Sequence, residues 1–173
     1  MTSLPTGTTT VEVVDTEAME ALGRHVAGSL RAGDLLVLTG PLGAGKTTFT
    51  RGLGEALQVR GQIASPTFVL ARTHPTASGV PLVHVDAYRL SGEAELDDLD
   101  LDFEGSIVVV EWGAGLLDGV SESWLDVVID RPIGAGEGPD AGGDLGDDLP
   151  DEPRRVTVTP HGPRWRDEPL VLP

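Results

Sequence analysis

Cysteine and asparagine are absent from the 173 residues of this sequence, and lysine occurs once, as Lys46, against eleven arginines. Without cysteine the chain can form no disulfide framework and no thiolate metal site, and a cysteine nucleophile is excluded. A reducing compartment is therefore compatible with the fold.

Long hydrophobic runs are also missing. The longest aliphatic runs are residues 35–38 and 107–110, far shorter than the roughly 20 residues that a membrane-spanning helix needs. No positively charged start leads into an apolar stretch, as a secretory signal would. We expect a cytoplasmic protein that is neither secreted nor membrane-bound.

Basic residues are scarce relative to acidic ones, and the formal net charge is −16. Such a surface repels phosphate backbones, so a role with nucleic acid is expected to be indirect, through a partner. Part of the charge is local, because residues 134–153 hold seven acids and no base among many glycines. We predict one domain over residues 1–173 with a disordered acidic Gly/Asp-rich insert at 134–153.

The apolar pattern predicts an α/β fold. Spacings of three and four indicate a helix over residues 16–31, and a continuous apolar run ended by glycine indicates a buried strand at Leu35–Thr39. Further strands are predicted at 67–72, 82–85 and 107–110, an acidic helical turn or two at 93–101, an alternating edge strand at 125–130 and a last strand around Val156 and Val158. We expect a mainly parallel sheet with antiparallel additions, flanked by helices.

A glycine-rich loop separates that buried strand from a second apolar helical face. Gly40 to Thr47 matches G-x-x-x-x-G-K-[ST], the pattern of a phosphate-binding P-loop. Its glycines let backbone N–H groups converge on a phosphate at a helix N-terminus, Lys46 bridges phosphate oxygens, and Thr47 offers its hydroxyl to Mg²⁺. Thr48 either contacts the α-phosphate or simply starts the helix. The predicted nucleotide-binding residues are Leu42, Gly43, Ala44, Gly45, Lys46, Thr47 and Thr48, with Thr16 as a further candidate near the base.

The base itself is predicted to be adenine. Guanine-specific switch proteins use an Asn-Lys-x-Asp motif, which a chain with no asparagine and no second lysine cannot build. We therefore expect ATP with Mg²⁺ as the ligand.

Two acids follow apolar runs, as the carboxylates of a P-loop enzyme do. Asp86 and Glu111 each end a predicted strand, where one carboxylate can lie near the metal and another can position a water nucleophile. Several neighbours have more than one interpretation. His84 could pair with phosphate, orient a neighbour or be structural, and Tyr88 and Trp112 could pack on the site or fill the core. Arg89 could neutralise phosphate or anchor the acidic helix.

Four motifs in order resemble the TsaE family, formerly YjeE. They are Gly40-Pro41-Leu42-Gly43-Ala44-Gly45-Lys46-Thr47-Thr48, Ser65-Pro66-Thr67-Phe68, His84-Val85-Asp86-Ala87-Tyr88-Arg89-Leu90 and Glu111-Trp112-Gly113. The similarity covers residues 16–128. Residues 134–153 and the tail 160–173 fall outside it.

The resemblance implies a P-loop ATPase that works with TsaB and TsaD to make threonylcarbamoyladenosine in tRNAs that read codons beginning with A. It implies that Lys46 and Thr47 hold phosphate and Mg²⁺, that Asp86 binds the metal directly or through water, and that Glu111 orients the attacking water. Lys46, Asp86 and Glu111 are thus the predicted catalytic residues, and Thr47, Asp86 and Glu111 the predicted metal ligands. Residues 65–67 would form a switch loop sensitive to the γ-phosphate.

Two other functions use the same loop. A small-molecule P-loop kinase would bring several arginines over the phosphates, but Arg154, Arg155, Arg164 and Arg166 are predicted to be surface residues. A nucleotide-gated assembly subunit would bind ATP with negligible turnover.

Overall fold

The computed structural model describes residues 7–64, 70–117, 119–131 and 153–173. In these ranges the strands are β1 (Thr9–Val13), β2 (Leu35–Thr39), β3 (Ala71–His74), β4 (Leu82–Asp86), β5 (Ile107–Glu111), β6 (Trp124–Asp130) and β7 (Arg154–His161). The helices are α1 (Thr16–Ala27), α2 (Lys46–Ala56), α3 (Glu93–Asp98) and α4 (Pro163–Asp167). None of these helices has the length and apolar character that crossing a membrane requires.

The strands form one sheet in the order β1-β7-β6-β2-β5-β4-β3. The four central strands β6, β2, β5 and β4 are parallel to one another, and β7, β1 and β3 add antiparallel pairs at the two sides. The predicted mainly parallel sheet with antiparallel additions is confirmed. Because the carboxyl ends of parallel strands meet at one edge, the segments that follow β2, β4 and β5 are brought together there.

Two apolar layers cover the central strands, which explains why β2, β4 and β5 read as continuous apolar runs. One face carries α1 and α2, and its core includes Leu36, Leu38 and Phe49. The other face carries α3, and its core includes Val37 and Val108.

Helix α1 begins and ends where local hydrogen bonding dictates. The side chain of Asp15 accepts a hydrogen bond from the backbone N–H of Ala18 at 2.8 Å and so caps the N-terminus. At the other end Ser29 and Leu30 donate to carbonyls three residues back, in a tighter turn. The helix therefore ends at Ala27, and the predicted extent of 16–31 was too long.

Strand β6 lies inside the sheet, so its prediction as an edge strand was wrong. It is parallel to β2 on one side and antiparallel to β7 on the other. Its alternation reflects its two faces, because Leu125, Val127 and Ile129 are buried whereas Trp124 and Asp126 are partly exposed. Alternation reports which face is covered, not whether both edges have hydrogen-bonded neighbours.

Other sequence-based boundaries differ in smaller ways. The strand predicted at 67–72 begins at Ala71 in the structure, and residues 67–69 lie outside the described ranges. The predicted insert 134–153 also lies outside them, apart from Pro153. The sequence pattern does not predict β1, which contains two threonines and a glutamate beside its two valines, or the single turn α4 that buries Trp165.

Two glycines set the distance between α1 and α2. A Cβ on Gly23 would lie 2.2 Å from the carbonyl oxygen of Phe49, and a Cβ on Gly52 would lie 2.1 Å from that of Glu20. Only glycine therefore permits this backbone contact. Because α2 starts at Lys46, the contact also fixes the helix that follows the glycine-rich loop.

Gly52→Ala is expected to destabilise the protein. Alanine favours a helix by about 1 kcal/mol over glycine, but overpacking costs roughly 1–3 kcal/mol, and here the clash is with backbone atoms that cannot move aside easily. We expect urea denaturation to show a net loss of stability. Gly92→Ala is the control, because a Cβ there would meet nothing within 4 Å. A Gly52→Ala protein as stable as the wild type would contradict this account of the packing.

Candidate nucleotide-binding site

The glycine-rich loop, residues 40–45, joins the end of β2 to the start of α2 at the carboxyl edge of the parallel strands. Gly43 and Gly45 have φ angles of 76° and 113°, which side-chain-bearing residues adopt only at a cost. A Cβ on Gly40 would lie 2.8 Å from the carbonyl oxygen of Ile129. The loop therefore takes a compact shape that this glycine pattern permits, with Leu42 exposed at its tip.

Lys46 opens α2 and turns its ammonium back into the loop. Its Nζ donates hydrogen bonds to the carbonyl oxygens of Gly40 at 2.7 Å and Pro41 at 3.1 Å. The residue is only 7% exposed. Burial lowers the pKa of Lys46, and the negative charges of Glu111 and Asp86 partly oppose that shift. The loop thus holds an ammonium group within reach of two carboxylates.

Asp86 and Glu111 end the neighbouring strands β4 and β5 and are directly paired in the sheet register. Both are buried. The Asp86 carboxylate accepts a hydrogen bond from the backbone N–H of Tyr88 at 3.0 Å, which leaves its other oxygen for further contacts. The structure thus brings the three predicted catalytic residues to one edge of the sheet.

His84 lies behind Glu111. Its Nε2 is 3.2 Å from a carboxylate oxygen of Glu111, and the imidazole is fully buried. The two atoms lack hydrogen-bond geometry, and among the described residues neither ring nitrogen of His84 has a hydrogen-bond partner, so the roles named above for this histidine stay predictions.

Two aromatic rings form a wall beside the lysine. Trp112 has a φ of 62°, and its ring lies 4.2 Å from Lys46 Nζ, a cation–π distance. Tyr88 packs edge to face on Trp112, with the two ring centroids 5.4 Å apart, and Tyr88 is 69% exposed. Tyr88 therefore does not fill the core, and both rings border the site.

The other predicted nucleotide contacts have different surroundings. Thr47 and Thr48 follow Lys46 in the first turn of α2, where Thr47 is partly exposed and Thr48 is buried. Thr16 is the first residue of α1, and its contact with a base stays a prediction. The predicted switch residues 65–67 lie outside the described ranges.

Comparison with known proteins identifies the family. Residues 13–134 match the model of the family described as threonylcarbamoyl adenosine biosynthesis protein TsaE. The chain is 54% identical to the tRNA threonylcarbamoyladenosine biosynthesis protein TsaE of Streptomyces coelicolor, over 85% of this chain and 93% of that one. The chain belongs to the TsaE family.

More distant members agree with this assignment. The Bacillus subtilis TsaE is 37% identical over 68% of this chain and 75% of its own length. The crystal structure of Bacillus subtilis YdiB superposes with a TM-score of 0.68 at 30% identity, covering 95% of this chain and 92% of that one. The P-loop fold and the family's place in tRNA threonylcarbamoyladenosine biosynthesis, both implied by the motifs, are confirmed.

The TsaE-family motifs do not include two arginines that the structure holds in place, Arg154, which is buried, and Arg164, which is partly buried. Arg154 is 2% exposed, and its Nη2 donates to the carbonyl oxygen of Gly43 at 3.2 Å. Arg164 donates to the Asp34 carboxylate at 3.1 Å, with a side chain that is 10% exposed. Their prediction as surface residues was wrong, whereas Arg155 and Arg166 are exposed as predicted.

A signal for Arg154 was present in the sequence. It alternates with Val156 and Val158 along β7, so all three residues lie on the buried face of that strand. The adjoining acidic stretch and the charge of arginine itself favoured an exposed position over this pattern, since a charged residue at a strand end is usually solvated.

The buried charges of this site are expected to be energetically coupled. Lys46→Met removes the ammonium that offsets the Glu111 and Asp86 carboxylates. Removing one of these two negative charges as well should then raise the free energy of unfolding. We expect the change in the free energy of unfolding caused by Glu111→Gln to be about 1–3 kcal/mol more favourable in the Lys46→Met background than in the wild type.

The measurement is urea unfolding of the four proteins of this double-mutant cycle without nucleotide or Mg²⁺. Glu104→Gln, at an exposed acid, serves as the control substitution. Additivity of Lys46→Met and Glu111→Gln within about 0.5 kcal/mol would show that the two charges do not interact.

Proposed function

We propose that this chain is the ATP-hydrolysing component of the machinery that makes threonylcarbamoyladenosine in tRNA, at the position next to the anticodon. It acts in the cytoplasm as one domain, with TsaD and TsaB as its protein partners, and meets tRNA only through them. One observation carries the ATPase proposal: a glycine loop holds a buried lysine at the sheet edge where two adjacent parallel strands end in buried carboxylates.

The site offers a phosphate group a complementary surface. The loop leads directly into the N-terminus of α2, where free backbone N–H groups and the helix dipole would favour negative charge. Lys46 adds a full positive charge, held by the carbonyl oxygens of Gly40 and Pro41. A triphosphate bound there would gain hydrogen bonds to charged donors, each worth about 1.5–3 kcal/mol.

The available oxygen ligands fit Mg²⁺. This cation prefers oxygen ligands and combines one or two carboxylates with phosphate oxygens and water. Thr47 supplies a hydroxyl, and Asp86 and Glu111 supply carboxylates at the same edge of the sheet. Bound there, Mg²⁺ would neutralise charge that develops on the phosphates during transfer.

Glu111 is the residue proposed to orient the attacking water. Glu111 is 3% exposed, and one of its carboxylate oxygens lies 3.2 Å from Nε2 of His84. Positioning of a nucleophile by such a group accelerates phosphoryl transfer through orientation rather than through covalent chemistry. Asp86 would serve the metal, directly or through water.

The kinase alternative loses support from the buried arginines. A kinase lid needs arginines that can close over the phosphates, whereas Arg164 is held by Asp34 and Arg154 reaches the loop from within the sheet. The formal net charge of −16 suits docking on a basic partner with electrostatic steering.

Hydrolysis should depend on Lys46 and on the partners. We expect the purified chain to hydrolyse Mg²⁺-ATP slowly alone and faster with TsaB and TsaD. Lys46→Ala should lower nucleotide affinity about 30-fold, as expected for the loss of about 2 kcal/mol, and abolish turnover. Phosphate release assays and titration calorimetry measure both effects. If the partners neither bind nor change turnover, the pathway assignment is wrong even though the P-loop chemistry stands, and a phosphorylated metabolite would indicate a kinase.

Glu111→Gln separates an ATPase from a binding switch. The variant keeps the size of the side chain, so we expect it to bind ATP but to hydrolyse it at least about 100-fold more slowly. In reconstituted tRNA modification it should then fail to sustain repeated turnovers. Glu104→Gln is the matched control at an exposed acid. Full modification activity in the Glu111→Gln protein would favour a nucleotide-gated assembly subunit.

A further inference from the structure

Arg154 contacts the phosphate loop from a distant part of the chain. It is the first residue of β7, and its Nη2 donates to the carbonyl oxygen of Gly43, 111 residues away in sequence. In the sheet it is paired with Val13 of β1, so the backbone that carries it is held by regular strand hydrogen bonding. The guanidinium is thus carried by a strand of the sheet rather than by a loop.

The contact orients one peptide group of the loop. In a trans peptide the C=O and the following N–H point in opposite directions. Because Arg154 holds the Gly43 carbonyl on its own side, the N–H of Ala44 faces the inside of the loop. There it donates to the carbonyl oxygen of Pro41 at 3.0 Å, the same oxygen that accepts from Lys46 Nζ. Arg154 therefore contacts the loop from its outer side, and Lys46 contacts it from its inner side.

Gly43 needs such a support. Its φ of 76° lies in a region where glycine has no strong preference, so the residue alone does not choose this conformation. A guanidinium is always charged and directs its N–H groups in a fixed plane, which makes it a firm partner for one carbonyl. A second cation is close, since Nη1 of Arg131 would lie 3.8 Å from a Cβ on Gly43.

We propose that Arg154 is a positioning residue of the phosphate loop: it fixes the Gly43–Ala44 peptide so that the Ala44 N–H faces the inside of the loop, where a bound phosphate would take the place of the Pro41 carbonyl as its acceptor. The inference rests on the proposed nucleotide binding and adds to it a residue outside the segment 13–134 that matches the TsaE family model. Its consequence is that part of the nucleotide affinity is set by the start of β7.

Three variants of the full chain test this role. Arg154→Met removes the guanidinium and keeps much of the side-chain volume, Arg154→Lys keeps a cation without the planar fork, and Arg155→Met changes the exposed neighbour on the same strand. We expect titration calorimetry with Mg²⁺-ADP to show about tenfold weaker binding for Arg154→Met, an intermediate loss for Arg154→Lys, and wild-type affinity for Arg155→Met.

A local readout distinguishes positioning from general destabilisation. In the nucleotide-free protein, hydrogen exchange of the Ala44 amide should become faster in both Arg154 variants. The Phe49 amide, which bonds to the Gly45 carbonyl inside α2, should keep its protection. If Arg154→Met does not fold, Arg154→Lys provides both measurements.

The outcomes separate this inference from the proposed function. Wild-type affinity and unchanged Ala44 exchange in a folded Arg154 variant would overturn the role of Arg154, while a loss of binding in Lys46→Ala would leave the proposed function standing. If the wild-type chain itself bound no nucleotide, the proposed function would fall and this inference with it.

Discussion

The buried ammonium of Lys46 is the group around which the site is organised. A charge with so little exposure must be offset locally: two loop carbonyls and the ring of Trp112 contact it, and the charges of Asp86 and Glu111 act on its pKa. These groups come from three parts of the chain, namely the loop itself, the end of β4, and the end of β5 with the following tryptophan. They meet because three parallel strands, β2, β4 and β5, end at the same edge of the sheet, and because α2, which starts with Lys46, packs on one face of that sheet.

Backbone contacts that only glycine permits hold this arrangement to close tolerances. Gly23 and Gly52 let α1 and α2 approach until backbone meets backbone, and Gly40 lets the loop start against Ile129 of β6. The helix after the loop therefore has little freedom to move relative to the sheet. A phosphate group bound there, as proposed, would meet a loop that is already in place, which would reduce the conformational entropy lost on binding.

Much of this molecule could be predicted from the sequence, and the failures have a common origin. The loop, Asp86 and Glu111 were found because each follows an apolar run, and a run that is buried on both faces is a strong local signal. Strand β6 was placed at an edge, since periodicity reports the burial of faces and not the neighbours along the strand. Arg154 and Arg164 were assigned to the surface, because the type of residue outweighed the weaker signal of its position.

The sequence by itself determined the phosphate loop, the family and the class of fold, because these depend on residues that are close in the chain and on the periodicity of apolar side chains. Only the tertiary structure decided the strand order, the contact of His84 with Glu111 and the contact of Arg154 with Gly43. These features join residues tens to more than a hundred positions apart. Such pairs form only when the whole sheet has assembled, so no local pattern records them.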